Sequence, residues 1–148
     1  MQVKIKRLTK NAILPTRGSN QAAGYDLYAC IDRDMAYCSI YPHETVKIGT
    51  GLSLEIPEGY FGAIFARSGI ATKRGLRPAN CVGVIDSDYR GEIVVALHND
   101  SDDTRKIEQD ERIAQLVIMP CLPVEFTEVN ELDSTERGTD GFGSTGLK

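Results

Sequence analysis

Several features common in other proteins are missing from this sequence, which has no tryptophan, only two histidines and no excess of positive charge. No apolar run approaches the ~18 residues of a membrane-spanning helix. The N-terminus begins MQVKIKRLTK and lacks the apolar core of a secretory signal. Lys and Arg number 17 against 21 Asp and Glu, so the net charge of −4 argues against sequence-independent nucleic-acid binding. A small anionic ligand held by a few local arginines remains open.

Cysteine and histidine are too scattered to suggest a zinc site. No two cysteines have the CxxC spacing, and His43 and His98 stand far apart in the sequence. We therefore expect four reduced thiols in a cytoplasmic protein. The four cysteines are Cys30, Cys38, Cys81 and Cys121.

The length of 148 residues corresponds to one domain with a sizeable core. We expect a single domain over residues 1–148, with the core ending near residue 129. Residues 130–148 lack alternating apolar residues and are rich in Gly, Ser, Thr and charge. This composition indicates a flexible C-terminal arm.

Alternation of apolar and polar residues, which indicates strands, dominates the rest of the chain. Alternating apolar residues are Val3 and Ile5; Leu52, Leu54 and Ile56; and Val124 and Phe126. Continuous apolar runs at 93–97 and 113–119 indicate strands buried on both faces. Many short strands with frequent turns predict an all-β sandwich or barrel. One short helix is expected, capped by Ser68 and ended by Gly75.

Two glycine-containing segments could bind phosphate. Residues 66–71 read ARSGIA, where an arginine, a hydroxyl and a glycine could form an anion site, although an ordinary strand-to-helix turn is an equal alternative. Residues 141–146 read GFGSTG, which matches a dinucleotide-binding motif in letters only, because no helix can follow it. Small residues and hydroxyls there could still surround phosphate oxygens, but a disordered glycine-rich terminus is the alternative.

Two aspartates stand out beside apolar runs. Asp86 follows an apolar run inside residues 80–93, which predict a β-hairpin, and its carboxylate could take a proton from water. The alternative is an aspartate that hydrogen-bonds its own turn. Asp26 lies between two tyrosines and could hold water or a metal, although such residues more often accept from backbone donors.

Five segments, taken in order, resemble the motifs of the trimeric deoxyuridine triphosphate nucleotidohydrolase (dUTPase) family. They are AAGYDLYA at 22–29, ARSGIATKRG at 66–75, NCVGVIDSDYRGEI at 80–93, RIAQLVI at 112–118 and RGTDGFGSTG at 137–146. The resemblance implies a distorted jelly-roll β-barrel of the β-clip type. One departure is Ala66, which stands where the family often has proline and leaves the loop freer.

The resemblance also implies a reaction, the hydrolysis of dUTP to dUMP and pyrophosphate. Asp86 would activate the water that attacks the α-phosphorus, and Asp26 would hold waters around a Mg²⁺ bound by the phosphates. The phosphate chain would contact Arg67, Ser68, Gly69 and Gln115. Such an enzyme keeps uracil out of DNA and supplies dUMP for thymidylate synthesis.

The same resemblance implies where the nucleoside binds. Uracil would pair with backbone groups from Val84 and Ile85 to about Val94, supported by Asn80, and Tyr89 would leave no room for a 2′-hydroxyl. The arm would close over the site with Arg137, Phe142, Gly143, Ser144 and Thr145, of which Phe142 would stack on uracil.

In that family, three identical subunits build each site, so a homotrimer is expected, without a membrane or nucleic-acid partner. Two other functions remain as alternatives. A dCTP deaminase would need a glutamate where Ala96 stands. A non-catalytic nucleotide-binding module would be expected to have lost Asp86, Asp26 or the arm, all of which are present.

Overall fold

Short strands account for most of the regular structure, as the alternation predicts. The computed structural model describes residues 1–32 and 34–141. The strands are β1 (Lys4–Arg7), β2 (Thr16–Arg17), β3 (Tyr25–Tyr28), β4 (Tyr37–Ile40), β5 (Thr45–Gly49), β6 (Leu52–Glu55), β7 (Tyr60–Phe65), β8 (Leu76–Pro78), β9 (Val82–Ile85), β10 (Val94–Asn99), β11 (Arg105–Glu108) and β12 (Arg112–Pro120). The helix α1 (Ser68–Arg74) lies between β7 and β8. The prediction of an all-β fold with one short helix is confirmed.

The strands form four small sheets with antiparallel pairing throughout. The largest has the order β2-β3-β12-β7-β9, and a second has the order β5-β10-β8. The other two sheets pair β1 with β6 and β11 with β4. Most neighbours in a sheet are distant in sequence, so long-range packing decides the pairing.

One apolar core joins these sheets. Its most deeply buried side chains, at 1% exposure or less, include Leu27, Ile40, Leu76, Ile93, Leu97, Ile107 and Ile113. Burial of each such side chain favours folding by roughly 1.5–3 kcal/mol. The core side chain of Ile70 anchors the short helix, which would not be stable alone.

The ends of α1 agree only in part with the prediction. Gly75 ends the helix in the left-handed conformation, with φ of 66°, and its N–H bonds back to Ala71. The predicted cap at Ser68 is wrong, because Ser68 is the first helical residue and the extended Arg67 holds the cap position. The Arg67 side chain does not cap the helix but bonds to Asp26 on β3.

Two other strand predictions are wrong. Residues 80–93 do not form a hairpin ladder, because β9 pairs with β7 whereas β10 pairs with β5 and β8. The alternation at Val124 and Phe126 does not produce a strand, and both side chains are exposed, at 71% and 92%. A strand needs a hydrogen-bonding neighbour, and residues 121–141 have none among the strands that the structure describes.

All four cysteines are free thiols. Within residues 1–32 and 34–141, no helix is long and apolar enough to cross a membrane.

Candidate active site

The first, second and fourth motifs meet on the largest sheet. Gln115 of β12 pairs in register with Asp26 of β3 on one side and with Phe65 of β7 on the other. Arg67 follows Phe65 by two residues, at the start of α1. Long-range strand pairing therefore brings together residues that are about 40 to 90 positions apart.

Asp26 is a buried carboxylate between two guanidinium groups. It is 9% exposed, and Arg67 Nε donates to its Oδ1 at 2.7 Å. Arg112 Nη1 donates to Oδ2 at 3.3 Å. The positive charges offset the desolvation of the carboxylate, and the carboxylate fixes the direction of the Arg67 side chain. The alternative of an aspartate that accepts only from the backbone does not describe this residue.

Gln115 is held between the first and second motifs. Its Nε2 donates to the carbonyl oxygen of Ala66 at 2.9 Å. A Cβ at Gly24 would come within 2.5 Å of Gln115 Oε1, so glycine makes room for this side chain. Ser68 and Gly69 are exposed at the start of α1, and space beside Gly69 is open. This side of the site is thus a bonded cluster with an accessible hydroxyl and backbone.

Asp86 has different surroundings. It follows the last residue of β9, is exposed, and lines a cleft of about 890 Å³ together with Glu58, Tyr60 and Asp88. Only its backbone carbonyl joins the turn, accepting from Tyr89 N at 3.2 Å. In the described part of the chain, the Asp86 carboxylate has no hydrogen bond or ion pair, so the turn-bonded alternative is not what the structure contains.

The separation of β9 from β10 leaves a second cavity, of about 160 Å³, between the two strands. The predicted base-binding residues Asn80, Val84, Ile85 and Val94 all line this cavity. One backbone edge of β9 is open, because β9 ends its sheet. This cavity exists because β9 and β10 are not paired to each other, since paired strands would leave no room between them.

Tyr89 lies in the turn after Asp86 and is 45% exposed. Its hydroxyl donates to the carbonyl oxygen of Glu92 at 3.1 Å. The ring lies over Gly91, where a Cβ would come within 2.5 Å of Tyr89 Cζ. Glycine at position 91 is therefore required for this ring orientation.

The two sides of the site are far apart within one chain. Ile85 pairs with Gly62 near the start of β7, whereas Arg67 lies beyond the end of β7. Asp86, one residue beyond Ile85, therefore lies opposite the first residues of β7, roughly 20 Å from Arg67 along the strand direction at about 3.3 Å per residue. That separation is too great for both side chains of one chain to contact the same phosphate group.

The predicted arm is described only in part. Arg137 is exposed, and its Nε donates to the carbonyl oxygen of Asp140 at 2.8 Å. Phe142, Gly143, Ser144 and Thr145 lie outside the described residues.

Sequence reasoning missed two residues. Arg112 lies in the fourth motif, but the sequence alone assigns it no role. A basic residue at the first position of a strand could have indicated a carboxylate partner. Glu92 hydrogen-bonds through its side chain to Gly51 N, a contact that no local pattern indicates.

Comparisons with known proteins identify the family. The sequence profile of the dUTPase family matches residues 10–146. The deoxyuridine 5'-triphosphate nucleotidohydrolase of Nautilia profundicola is 49% identical, over 99% of both chains. That of Hydrogenobaculum sp. is 47% identical, over 100% of both chains.

Solved structures of dUTPases are also similar to this chain. The dUTPase of Staphylococcus bacteriophage 80alpha, solved with dUPNHPP, superposes with a TM-score of 0.88 and 33% identity, over 99% of both chains. The predicted jelly-roll fold is thereby confirmed. The chain belongs to the dUTPase family of enzymes.

Proposed function

We propose that this protein hydrolyses dUTP to dUMP and pyrophosphate, which keeps uracil out of DNA and supplies dUMP for thymidylate synthesis. The observation that carries the proposal is the position of Asp86. Its free carboxylate directly follows Ile85, which lines the cavity between β9 and β10. A nucleotide whose base enters that cavity would extend its sugar and phosphates toward the turn at residues 86–90.

The cavity favours uracil by its backbone. The open edge of β9 offers N–H and C=O groups to the pyrimidine edge, and Asn80 adds a side-chain amide. The amino group of cytosine presents the opposite donor pattern, and the methyl group of thymine would collide with the strand. Tyr89 packs under the deoxyribose and excludes a 2′-hydroxyl.

The chemical step needs a base and an in-line nucleophile. The Asp86 carboxylate accepts a proton from a water molecule. The water oxygen forms a bond to the α-phosphorus as the bond from that phosphorus to the bridging oxygen breaks, and pyrophosphate leaves. Arg67, Ser68 and Gly69 hold the phosphate chain, and Gln115 contacts the α-phosphate region.

The donor set near Asp26 fits a hydrated Mg²⁺. Both carboxylate oxygens accept from arginines, yet each oxygen has a further lone pair for a water ligand. Mg²⁺ keeps several waters and needs few direct protein ligands, so Asp26 would hold it through water. When bound, the ion would offset negative charge on the phosphates of dUTP.

We further propose a homotrimer with sites between subunits. Asp86 and Arg67 of one chain cannot serve the same phosphate, whereas Asp86 of one subunit can meet Arg67 of another. The exposed apolar side chains beyond β12 support such contacts. They are Leu122, Val124, Phe126, Val129 and Leu132.

The C-terminal arm completes the proposed site. Arg137, Gly143, Ser144 and Thr145 would contact the phosphates, and Phe142 would stack on uracil. Closure of such a segment excludes water other than the nucleophile. In this proposal residues 1–148 form one domain, with residues 130–148 as the arm, in a cytoplasmic enzyme whose partners are dUTP and two further copies of the chain.

A direct test is incubation with Mg²⁺ and, separately, dUTP, dCTP, dTTP and UTP, with pyrophosphate and ammonia measured. We expect efficient pyrophosphate release from dUTP alone and no ammonia. Comparable release from UTP or dTTP would contradict the specificity argument. Ammonia from dCTP would instead indicate a deaminase.

A further inference from the structure

The Glu92 side chain ties the turn that carries Tyr89 to a different part of the fold. Glu92 is half-buried, and its Oε1 accepts a hydrogen bond from Gly51 N at 2.7 Å. Gly51 lies in the connection between β5 and β6, with φ of 67°. A Cβ at Gly49 would come within 2.5 Å of the same Oε1. Gly51 therefore supplies the donor for the carboxylate, and the absence of a side chain at Gly49 leaves space for it.

The same connection, together with the start of β6, holds the backbone on both sides of Glu92. Thr50 donates to the carbonyl oxygen of Ile93 from N at 3.2 Å and from Oγ1 at 2.7 Å. Ser53 Oγ donates to the carbonyl oxygen of Arg90 at 2.7 Å. We call this set of hydrogen bonds between residues 50–53 and residues 90–93 the clamp. Glu92 contributes to the clamp through its side chain, which accepts from Gly51 N.

Tyr89 depends directly on this clamp. Its hydroxyl donates to the backbone carbonyl of Glu92, and its ring rests on Gly91. A shift of Glu92 would therefore move both the hydrogen-bond acceptor and the surface that hold the ring. Among the described residues, the Asp86 carboxylate has no hydrogen bond to Glu92, so we expect such a shift to act on the sugar side of the turn.

We propose that Glu92 is a positioning residue for discrimination between deoxyribose and ribose. This inference rests on the proposed function, in which Tyr89 excludes the 2′-hydroxyl. The Glu92 carboxylate, accepting from Gly51 N–H, holds the Tyr89 ring at the height that leaves no room for that hydroxyl. This role requires a side-chain oxygen that accepts the hydrogen bond from Gly51 N, and it does not require a negative charge.

The test compares kcat/KM for dUTP with kcat/KM for UTP in four variants. We expect Glu92→Ala to lower the dUTP-to-UTP ratio about tenfold. Gly49→Ala should lower the ratio in the same direction, because the new Cβ displaces the carboxylate while Glu92 remains present. Glu92→Gln keeps an acceptor oxygen and should stay within about twofold of the wild type. Glu108→Ala, an exposed glutamate on β11, is the matched control and should leave the ratio unchanged.

The outcomes separate this inference from the proposed function. A wild type that does not turn over dUTP contradicts the function, whatever the variants do. An active wild type whose ratio is unchanged by Glu92→Ala and by Gly49→Ala overturns the role of Glu92, even if melting temperatures fall. A decrease in the dUTP-to-UTP ratio that is as large in Glu92→Gln as in Glu92→Ala also overturns the proposed role of Glu92. Should Glu92→Ala fail to fold, Gly49→Ala decides, because it displaces only the end of a flexible side chain.

Discussion

The two sides of the site, around Asp26 and around Asp86, differ in how many hydrogen bonds their side chains form within one chain. Around Asp26, side chains are buried or half-buried and joined by short contacts, with Arg67 at 2.7 Å and Gln115 bonded to the carbonyl of Ala66. Around Asp86, the carboxylate is exposed and the neighbouring cleft is open. The side around Asp26 is thus organised by its own hydrogen bonds, whereas the Asp86 carboxylate on the other side has free lone pairs among the described residues.

This contrast has a chemical reason. A guanidinium group that binds phosphate gains from a carboxylate that orients it, because its planar donors lose less freedom on binding. A general base must instead keep a lone pair for the proton that it accepts. The strand pairing supplies both conditions, since it buries β3 and β12 against neighbours and leaves β9 at the edge of the sheet.

The largest effect should come from the exposed side. Asp86→Asn keeps the shape of the side chain but cannot accept a proton near neutral pH, so kcat should fall about 10⁴-fold while dUTP still binds. Calorimetric titration with a non-hydrolysable dUTP analogue and a pyrophosphate assay would measure both properties. Asp88→Asn, in the same cleft, is the control and should change kcat little. Substantial activity in Asp86→Asn would mean that another group is the base.

If residues 137–148 act as the proposed arm, their removal should leave a folded trimer with about 10³-fold lower kcat/KM, because positioning of the phosphates and exclusion of water would both be lost. Residues 137–140 are exposed and outside the core, so the melting temperature should change little. Thermal melting, gel filtration and the pyrophosphate assay would check this. An unfolded truncation would assign the arm a structural role, and a fully active one would refute closure.

Arg67→Ala tests the organised side. It should lower kcat/KM about 10²-fold by removing a phosphate contact. It should also lower the free energy of unfolding by about 2 kcal/mol, because Arg112 alone would then offset the buried Asp26 carboxylate. Chemical denaturation and kinetics measure the two effects, with the exposed Arg7→Ala as the control. An unchanged unfolding free energy would show that the Asp26 pair contributes no net stability.

Phe142→Ala should have the smallest effect, about tenfold in kcat/KM, since stacking of an aromatic ring on a base contributes about 1–3 kcal/mol. The loss should appear mainly in KM for dUTP. An effect as large as that of the whole truncation would show that the ring, rather than the phosphate donors, dominates closure.

Much of the fold follows from local pattern. Alternation at Leu52 and Leu54 predicts β6, the apolar run at 113–119 predicts β12, and Gly75 ends α1 as its conformational freedom predicts. The five motifs also predict the members of the site in order. The assignment of individual chemical roles to these residues stays a prediction, to be decided by the substitutions above.

Pairing partners could not be predicted in this way. Residues 80–93 have the local pattern of a hairpin, but β7 and β5 compete successfully for β9 and β10 through contacts distant in sequence. Val124 and Phe126 alternate as a strand does, yet a strand forms only where a neighbour supplies hydrogen bonds. The Arg67 cap position and the contact of Glu92 with Gly51 depend in the same way on segments far along the chain.

In the proposed trimer, Asp86 and Arg67 of different chains serve one site, and mixing of two strongly impaired variants tests this arrangement. Asp86→Asn and Arg67→Ala chains, carrying different tags, would be unfolded, mixed in equal amounts, refolded and assayed with dUTP. Random assembly gives each site an intact Asp86 and an intact Arg67 in about a quarter of cases, so activity should recover to about a quarter of the wild type. Activity no higher than that of the separate variants, in confirmed mixed trimers, would place both residues in one chain's site and contradict the account.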